Sequence, residues 1–202
     1  SEQPSTEKRA EEIVSLAEKE DWEVKDVKAT EAKRSPRPPF TTSTLQQAAS
    51  SRLGFSPSNT MRIAQKLYEA GLITYMRTDS MHLAEEAQAA IIHEASTRYG
   101  DAFVSPRRFK TTSKNAQEAH EAIRPTDISL ERGGLSADQK KLYRLIWQRT
   151  LASQMSDARL LRTKIIANTK SQSLPDFSAN GSQILFLGWL KADPDSRSED
   201  VE

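Results

Sequence analysis

The 202-residue sequence contains no cysteine. This absence excludes disulfides, a thiol nucleophile and thiolate metal ligands. The sequence also lacks a run of 18 apolar residues and a basic-then-apolar leader, so it predicts neither a membrane-spanning helix nor a signal peptide. It has no P-loop and no glycine-rich phosphate cradle, and His82 and His93 have no partner at metal-ligand spacing. The familiar nucleotide and metal motifs are therefore excluded.

Neither sign of charge is in excess, with 29 basic and 28 acidic residues and 36% hydrophobic residues. This balance favours a folded chain over a disordered one. A formal net charge of +1 gives no global attraction to nucleic acid, so any such binding must be local. Residues 104–116 offer a basic loop, which carries Arg107, Arg108, Lys110 and Lys114 without an acid. The chain begins at serine, and we expect it to be part of a longer protein.

Strand patterns lie near both ends of the chain. Residues 6–20 have the apolar spacing of an amphipathic helix, and residues 22–30 alternate as a strand does. The proline-rich segment 33–39 interrupts regular structure. Later, the alternation in 161–169 and the apolar run 184–187 predict two more strands.

The centre of the chain is predicted to be helical. Helices are expected at about 44–53, 57–70, 82–99, 116–123 and 137–154. The expected N-caps are Ser43 (with Gln46), Asp79-Ser80 and Ser136 (with Gln139). Two helices followed by the extended segment 72–75 are typical of a winged-helix-type nucleic-acid module, although an ordinary helical hairpin has the same pattern.

These patterns together predict an α+β multidomain protein. A mainly helical, winged-helix-like domain over residues 39–157 is expected to be inserted into a β-rich domain that is only partly present. The two parts of that β-rich domain are residues 1–38 and 158–202.

Polar side chains are dense in the segment 73–80, directly after a helix stop. A tyrosine hydroxyl is a poor nucleophile at neutral pH unless it is assisted. If the segment is extended, Tyr75 and Arg77 lie on one face, and the arginine can bind a phosphate through two hydrogen bonds. Alternatively, Tyr75 is a half-buried strand residue and Arg77 a surface charge.

A second cluster lies at residues 118–127. His120 and Arg124 are four residues apart, so on the predicted helix they share a face beside the basic loop. Two such cations could hold a phosphate. The alternative is a solvated helix end, where both residues would complement the helix dipole.

Three runs of sequence resemble a known family. They are Phe40-Thr-Thr-Ser-Thr-Leu-Gln-Gln-Ala-Ala49, Ala64-Gln-Lys-Leu-Tyr-Glu-Ala-Gly-Leu-Ile-Thr-Tyr-Met-Arg-Thr-Asp-Ser80 and Gln117-Glu-Ala-His-Glu-Ala-Ile-Arg-Pro125. Their order and spacing, with Leu145-Ile146-Trp147 and Gln154-Met155 further on, are similar to those of the bacterial type IA DNA topoisomerases. The resemblance is strong over residues 39–156 and weak in the flanks, which fit the family's β-rich arch domain.

The resemblance implies a role for each matching residue. Tyr75 would be the nucleophile that holds a 5′ phosphate of DNA covalently, and Arg77 would orient and neutralise the scissile phosphate. His120 would belong to the phosphate network, with Arg124 beside it. The remaining matches would line the site or hold its local structure, and they are Gln65, Glu69, Thr74, Thr78 and Asp79.

The resemblance also implies partners and a cofactor. The full-length enzyme would use Mg²⁺ held by an acidic domain that this sequence lacks, and it would act on single-stranded DNA as a monomer in the bacterial cytoplasm, at the nucleoid. This piece alone would then be inactive. Two alternatives remain open: a non-catalytic DNA-binding module of winged-helix type, and a purely structural hinge.

Overall fold

The computed structural model describes residues 4–109 and 120–196, which form two compact units. The β-rich unit consists of the described residues up to Arg34 together with Arg159–Phe186. The helical unit consists of the described residues of Ser35–Ala158 and those from Leu187 onwards. The β-rich unit is thus formed by two segments that flank most of the helical unit in sequence.

The β-rich unit contains one helix and one sheet. Helix α1 spans Glu7–Lys19, and the strands are β1 (Trp22–Arg34), β2 (Ala158–Thr169) and β3 (Phe177–Phe186). The strand order is β1-β2-β3, and β2 pairs with β3 in antiparallel fashion, with Ile165 opposite Ala179. All three strands are longer than the sequence patterns predicted. Trp22 packs edge-to-face on Phe177, with ring centroids 5.2 Å apart.

The helical unit has a core built around a buried helix. Its helices are α2 (Thr42–Leu53), α3 (Pro57–Glu69), α4 (Glu85–Tyr99) and α5 (Ala137–Ser153), with short 3₁₀ helices at Asp101–Phe103 and Gly188–Lys191. Every residue of α5 from Leu145 to Ser153 is buried, and so are Leu142 and Tyr143. The largest buried side chains around it include Phe40, Leu45, Leu67, Ile73, Met76, Ile123 and Trp189.

The described residues after Leu187 pack within the helical unit, although the sequence analysis grouped 158–202 with the β-rich part. The amide of Trp189 donates to the carbonyl of Ser156 at 2.9 Å. Asp193 is fully buried and pairs with Arg52 at 2.7 Å. Gly188 has φ +49°, and a Cβ there would collide with the carbonyl oxygens of Ser156 and Asp157, so the turn requires glycine.

Helix α2 begins earlier than the predicted Ser43 cap. Thr41 is the N-cap, and its side chain and that of Thr44 form a reciprocal capping box. Residues 41–44 all carry a side-chain hydroxyl, so the sequence offers several possible N-cap residues. The choice is made by a tertiary contact, because the amide of Thr42 donates to the carbonyl of Thr78 at 2.9 Å.

Two other helix predictions are corrected. Helix α4 begins at Glu85 rather than 82, and Asp79-Ser80 does not cap it; the amide of its N-cap residue Ala84 instead donates to Glu121 Oε1 at 2.8 Å. Residues 120–123, predicted as the end of a helix, are not helical, and Ile123 pairs with Phe40 across the unit. The rest of that predicted helix, 116–119, lies outside the described residues.

Candidate functional site

Three distant segments of the helical unit are tied together by backbone hydrogen bonds. The amide of Ile123 donates to the carbonyl of Phe40 at 2.8 Å, and the amide of Thr74 donates to the carbonyl of Arg124 at 2.9 Å. With the bond from Thr42 to Thr78, these contacts join the segments 40–42, 73–78 and 122–124. The runs that carried the family resemblance therefore meet in space.

The segment 73–80 is neither helix nor regular strand, yet its side chains alternate. Tyr75, Arg77 and Asp79 are exposed, whereas Met76, Thr78 and Ser80 are buried. Ile73 forms one isolated bridge with Pro125. Tyr75, Arg77 and Asp79 therefore share the solvent-exposed side of this segment, although no sheet holds it.

An open cavity of about 720 Å³ lies beside this face. Four of the predicted site residues line it: Arg77, Thr78, Asp79 and His120. Three residues of helix α2 that were not predicted as site residues also line it: Thr42, Ser43 and Gln46. The family resemblance of the run Phe40–Ala49 was the feature of the sequence that could have identified these three residues as part of the site. The sequence had instead predicted that Ser43 and Gln46 form the N-terminal cap of the helix, which is a structural role, and this prediction was incorrect.

Tyr75 is not among the residues that line the cavity. Its side chain is 43% exposed, two positions before Arg77 on the same face. Its ring packs edge-to-face on Tyr68 of α3, with ring centroids 5.2 Å apart. Tyr68 was not predicted as a site residue, and its sequence position on an ordinary helical ridge gave no indication of this contact.

Arg124 is engaged by a carboxylate. Its Nη2 lies 2.7 Å from Glu121 Oε2, and its Nη1 donates to the carbonyl of Pro125 at 3.0 Å. Burial of Glu121 favours its neutral form, but the hydrogen bonds from Arg124 and the amide of Ala84, and the Arg124 charge, outweigh this and lower its pKa. The predicted helix face shared by His120 and Arg124 does not exist, because this segment is not helical.

Three further predicted site residues form hydrogen bonds with other groups of the protein. On α3, Gln65 Nε2 donates to Glu69 Oε1 at 2.7 Å. The hydroxyl of Thr74 donates to the carbonyl of Ala122 at 2.7 Å and accepts from the amide of Arg124 at 3.0 Å. These three side chains therefore have hydrogen-bond partners within the protein, and their role at the site stays a prediction.

The basic loop is only partly described. Arg107 pairs with Asp157 at 2.6 Å, and Arg108 pairs with Glu85 at 3.1 Å. Lys110 and Lys114 lie outside the described residues. The two described arginines of the loop therefore have acidic partners.

The described residues do not fit a metal ion by themselves. Within 4–109 and 120–196, no three histidine, aspartate or glutamate side chains come together as potential metal ligands. Asp79 is the one carboxylate among the residues that line the cavity.

Comparison with known proteins identifies the family. A family model described as DNA topoisomerase matches residues 1–202. The chain therefore belongs to the DNA topoisomerase family.

Curated proteins that are similar to this chain belong to the same family. The chain is 47% identical over 185 residues to DNA topoisomerase 1 of Zymomonas mobilis, a match that covers 90% of this chain and 15% of that protein. It is 50% identical over 171 residues to DNA topoisomerase 1 of Mycobacterium tuberculosis, covering 79% of this chain and 18% of that protein. The chain thus spans less than a fifth of the length of these two relatives.

A solved structure shares the fold. The full-length topoisomerase I of Thermotoga maritima is similar with a TM-score of 0.78 and 36% sequence identity, covering 91% of this chain and 31% of that one. The mixed α/β architecture described above is therefore that of a topoisomerase I. As a separate finding, no helix in the described part of the chain combines the length and hydrophobicity needed to cross a membrane.

Proposed function

We propose that this chain is the tyrosine-bearing part of a type IA DNA topoisomerase, which cleaves and reseals one DNA strand to relax negative supercoils. The observation that supports this most directly is the shared exposed face of Tyr75 and Arg77 beside the cavity that His120 also lines. Phosphoryl transfer depends on positioning and charge stabilisation, and this face presents a hydroxyl, a guanidinium and an imidazole.

In the proposed reaction, Tyr75 Oη attacks the phosphorus of a single-stranded segment. The new bond joins the 5′ phosphate to the tyrosine, and the bond to the 3′ oxygen of the preceding nucleotide breaks. The tyrosine proton is lost, and a 3′ hydroxyl is released. Because one phosphodiester replaces another, the reverse attack by that hydroxyl reseals the strand without ATP. Arg77 and His120 would bind the non-bridging oxygens.

The proposal extends to the rest of the enzyme. Mg²⁺ would be held by carboxylates of an acidic domain outside this chain, because the described residues do not fit the ion alone. The 202-residue chain alone would then not relax supercoiled DNA, and the complete enzyme would act as a monomer at the bacterial nucleoid. Helices α2 and α3 with the segment 72–75 would form a winged-helix-like unit in a helical domain. That domain would be inserted into the β-rich arch domain, to which the described residues up to Arg34 and Arg159–Phe186 would belong.

Covalent trapping tests the proposal. The complete enzyme is incubated with a single-stranded oligonucleotide labelled at its 3′ end, and protein-bound label is measured after denaturation. A 5′ phosphotyrosine retains this label, whereas a 5′-end label is released. We expect the adduct with the wild type and none with Tyr75→Phe, while single-strand binding is retained.

Tyr68→Phe is the matched control, since its ring touches that of Tyr75. We expect this variant to form the adduct. An adduct that survives in Tyr75→Phe and disappears in Tyr68→Phe would identify Tyr68 as the nucleophile. DNA binding without any adduct in the wild type would favour the non-catalytic binding module.

A further inference from the structure

The hydroxyl of Thr42 contacts both peptide groups that flank Arg77. It donates to the carbonyl of Met76 at 2.7 Å and accepts from the amide of Thr78 at 2.9 Å. The carbonyl belongs to the peptide group before Arg77, and the amide belongs to the peptide group after it. One oxygen atom therefore binds the backbone on both sides of a single residue.

This arrangement restricts the backbone of Arg77. Its φ and ψ angles are rotations about the bonds that join its Cα to these two peptide groups. With both groups held by one hydroxyl, neither rotates without breaking a hydrogen bond. The amide of Thr42 adds a third contact, to the carbonyl of Thr78 at 2.9 Å.

The restriction matters because no regular element holds this segment. Residues 75–80 belong to no helix or strand, so no ladder of backbone hydrogen bonds fixes them. Met76 and Thr78 are buried on either side, but Arg77 is exposed. Arg77 lines the cavity, so the position from which its side chain extends depends on the backbone angles at Arg77 itself.

We propose that Thr42 is the positioning residue for Arg77: its hydroxyl fixes the arginine backbone so that the guanidinium meets the phosphate of the DNA strand. This inference rests on the proposed function and names a residue that neither the sequence analysis nor the family comparison assigned to the site. Thr42 acts through Arg77 and transfers no atom in the reaction.

The test uses the complete enzyme and compares cleavage with binding. Thr42→Val replaces the hydroxyl by a methyl group of similar size. We expect the single-turnover rate of adduct formation to fall roughly 10- to 100-fold, because small misplacements of a charge-stabilising group have effects of that order. Single-strand affinity should change by less than about threefold, since one phosphate contact is a small part of the total. Thr42→Ser keeps the hydroxyl and should restore the rate to within about threefold of wild type.

Thr60→Val is the matched control. Thr60 is a fully buried threonine of α3 whose hydroxyl donates to the carbonyl of Ser56 at 3.0 Å. Its loss costs a comparable hydrogen bond in the same unit, but away from Arg77 in the chain. Cleavage by Thr60→Val should remain within about twofold of wild type. An equal fall in both variants would overturn the proposal, because the effect would then be one of general stability.

A double-mutant cycle with Arg77→Ala identifies the route of the effect. If Thr42 acts through Arg77, Thr42→Val should slow cleavage by less than about twofold in the Arg77→Ala background. A full, additive loss would overturn the proposal in favour of a direct contact between Thr42 and DNA. If Thr42→Val does not fold, Thr42→Ala removes the same hydroxyl, and unfolding of both variants would also overturn the proposal.

Failure of the inference can be separated from failure of the proposed function. Without a wild-type adduct that Tyr75→Phe abolishes, the proposed function fails and so does the inference that rests on it. With such an adduct, and with Thr42→Val cleaving at the wild-type rate, the function stands and the role of Thr42 is refuted.

Discussion

Helix α5 and the segment 73–80 belong to the same unit, but they are held in different ways. In α5 the backbone amides beyond the first turn find their acceptors four residues earlier, and the N-terminus is closed by the side chains of Ser136 and Gln139. In the segment, the partners lie 34 to 50 positions away, on Thr42, Ala122 and Arg124. The first element is local, whereas the second exists only in the assembled unit.

The difference shows how exposed side chains can be held in place on a stable protein. A helix that is buried over most of its length, as α5 is from Leu145 to Ser153, gains its stability from the hydrophobic side chains packed around it. The segment must leave Tyr75 and Arg77 in solvent, so burial cannot hold those two residues. Threonine hydroxyls replace burial there: Thr42 bridges the peptide groups around Arg77, and Thr74 bridges those around Ile123.

The largest expected effect on stability comes from the buried helix. Ile146 is fully buried on α5, so Ile146→Ala leaves a cavity and should lower the free energy of unfolding by about 2–5 kcal/mol. Urea denaturation of the 202-residue chain measures this. Ile146→Val should lower the free energy by only about 0.5–1.5 kcal/mol. Leu135 is 93% exposed, so a cost of Leu135→Ala equal to that of Ile146→Ala would contradict the assignment of the core.

A smaller effect, with a pH dependence, is expected at the pair that anchors residues 121–124. The pKa of Glu121 is lowered in the folded state, so its stabilisation is complete above the free value of 4.5 and is lost as the pH falls below it. Removing the charge with Glu121→Gln should lower the free energy of unfolding by about 1–3 kcal/mol at neutral pH. The difference between variant and wild type should shrink in acid.

Denaturation at a series of pH values measures this dependence. Glu131→Gln is a suitable control, because Glu131 pairs with Arg98 on a more exposed surface of the same unit, where an ion pair contributes little. A difference for Glu121→Gln that stayed constant from neutral to acidic pH would refute the role of its charge.

The smallest effect is expected at the start of α5. Ser136 accepts a hydrogen bond from the amide of Gln139 at 3.2 Å, so Ser136→Ala should cost about 1 kcal/mol of stability. Ser136→Asp keeps an acceptor and should cost less. Thermal or urea unfolding measures both variants, with Ser182→Ala on the exposed strand β3 as a neutral control. A cost for Ser136→Asp as large as that of Ser136→Ala would show that the cap is not what matters there.

The sequence predicted the local elements well and the contacts between them poorly. The bounds of α3 and α5 and the cap at Ser136 are confirmed, because periodicity and capping are properties of neighbouring residues. The start of α2 and the predicted helix at 120–123 were incorrect. Both depend on pairing with segments far along the chain, and a helical pattern of side chains does not reveal such pairing.

The candidate site divides in the same way. The side-chain types of Tyr75, Arg77 and His120, together with the family resemblance, indicated the chemistry. The sequence did not distinguish the guanidinium of Arg77, which lines the cavity, from that of Arg124, which is bound to Glu121. It also did not identify the contact of Tyr68 with Tyr75, since that contact joins a helix to an irregular segment.

By itself, then, the sequence determined the family, the helices of the centre, the strands of the flanks and the residue types at the site. The tertiary structure decided which of those residues face the cavity, and that Thr42 holds the backbone of Arg77. The physical reason is that helix formation and capping are satisfied within a few residues. The segment 73–80, in contrast, satisfies most of its hydrogen bonds with partners that folding brings to it from elsewhere in the chain.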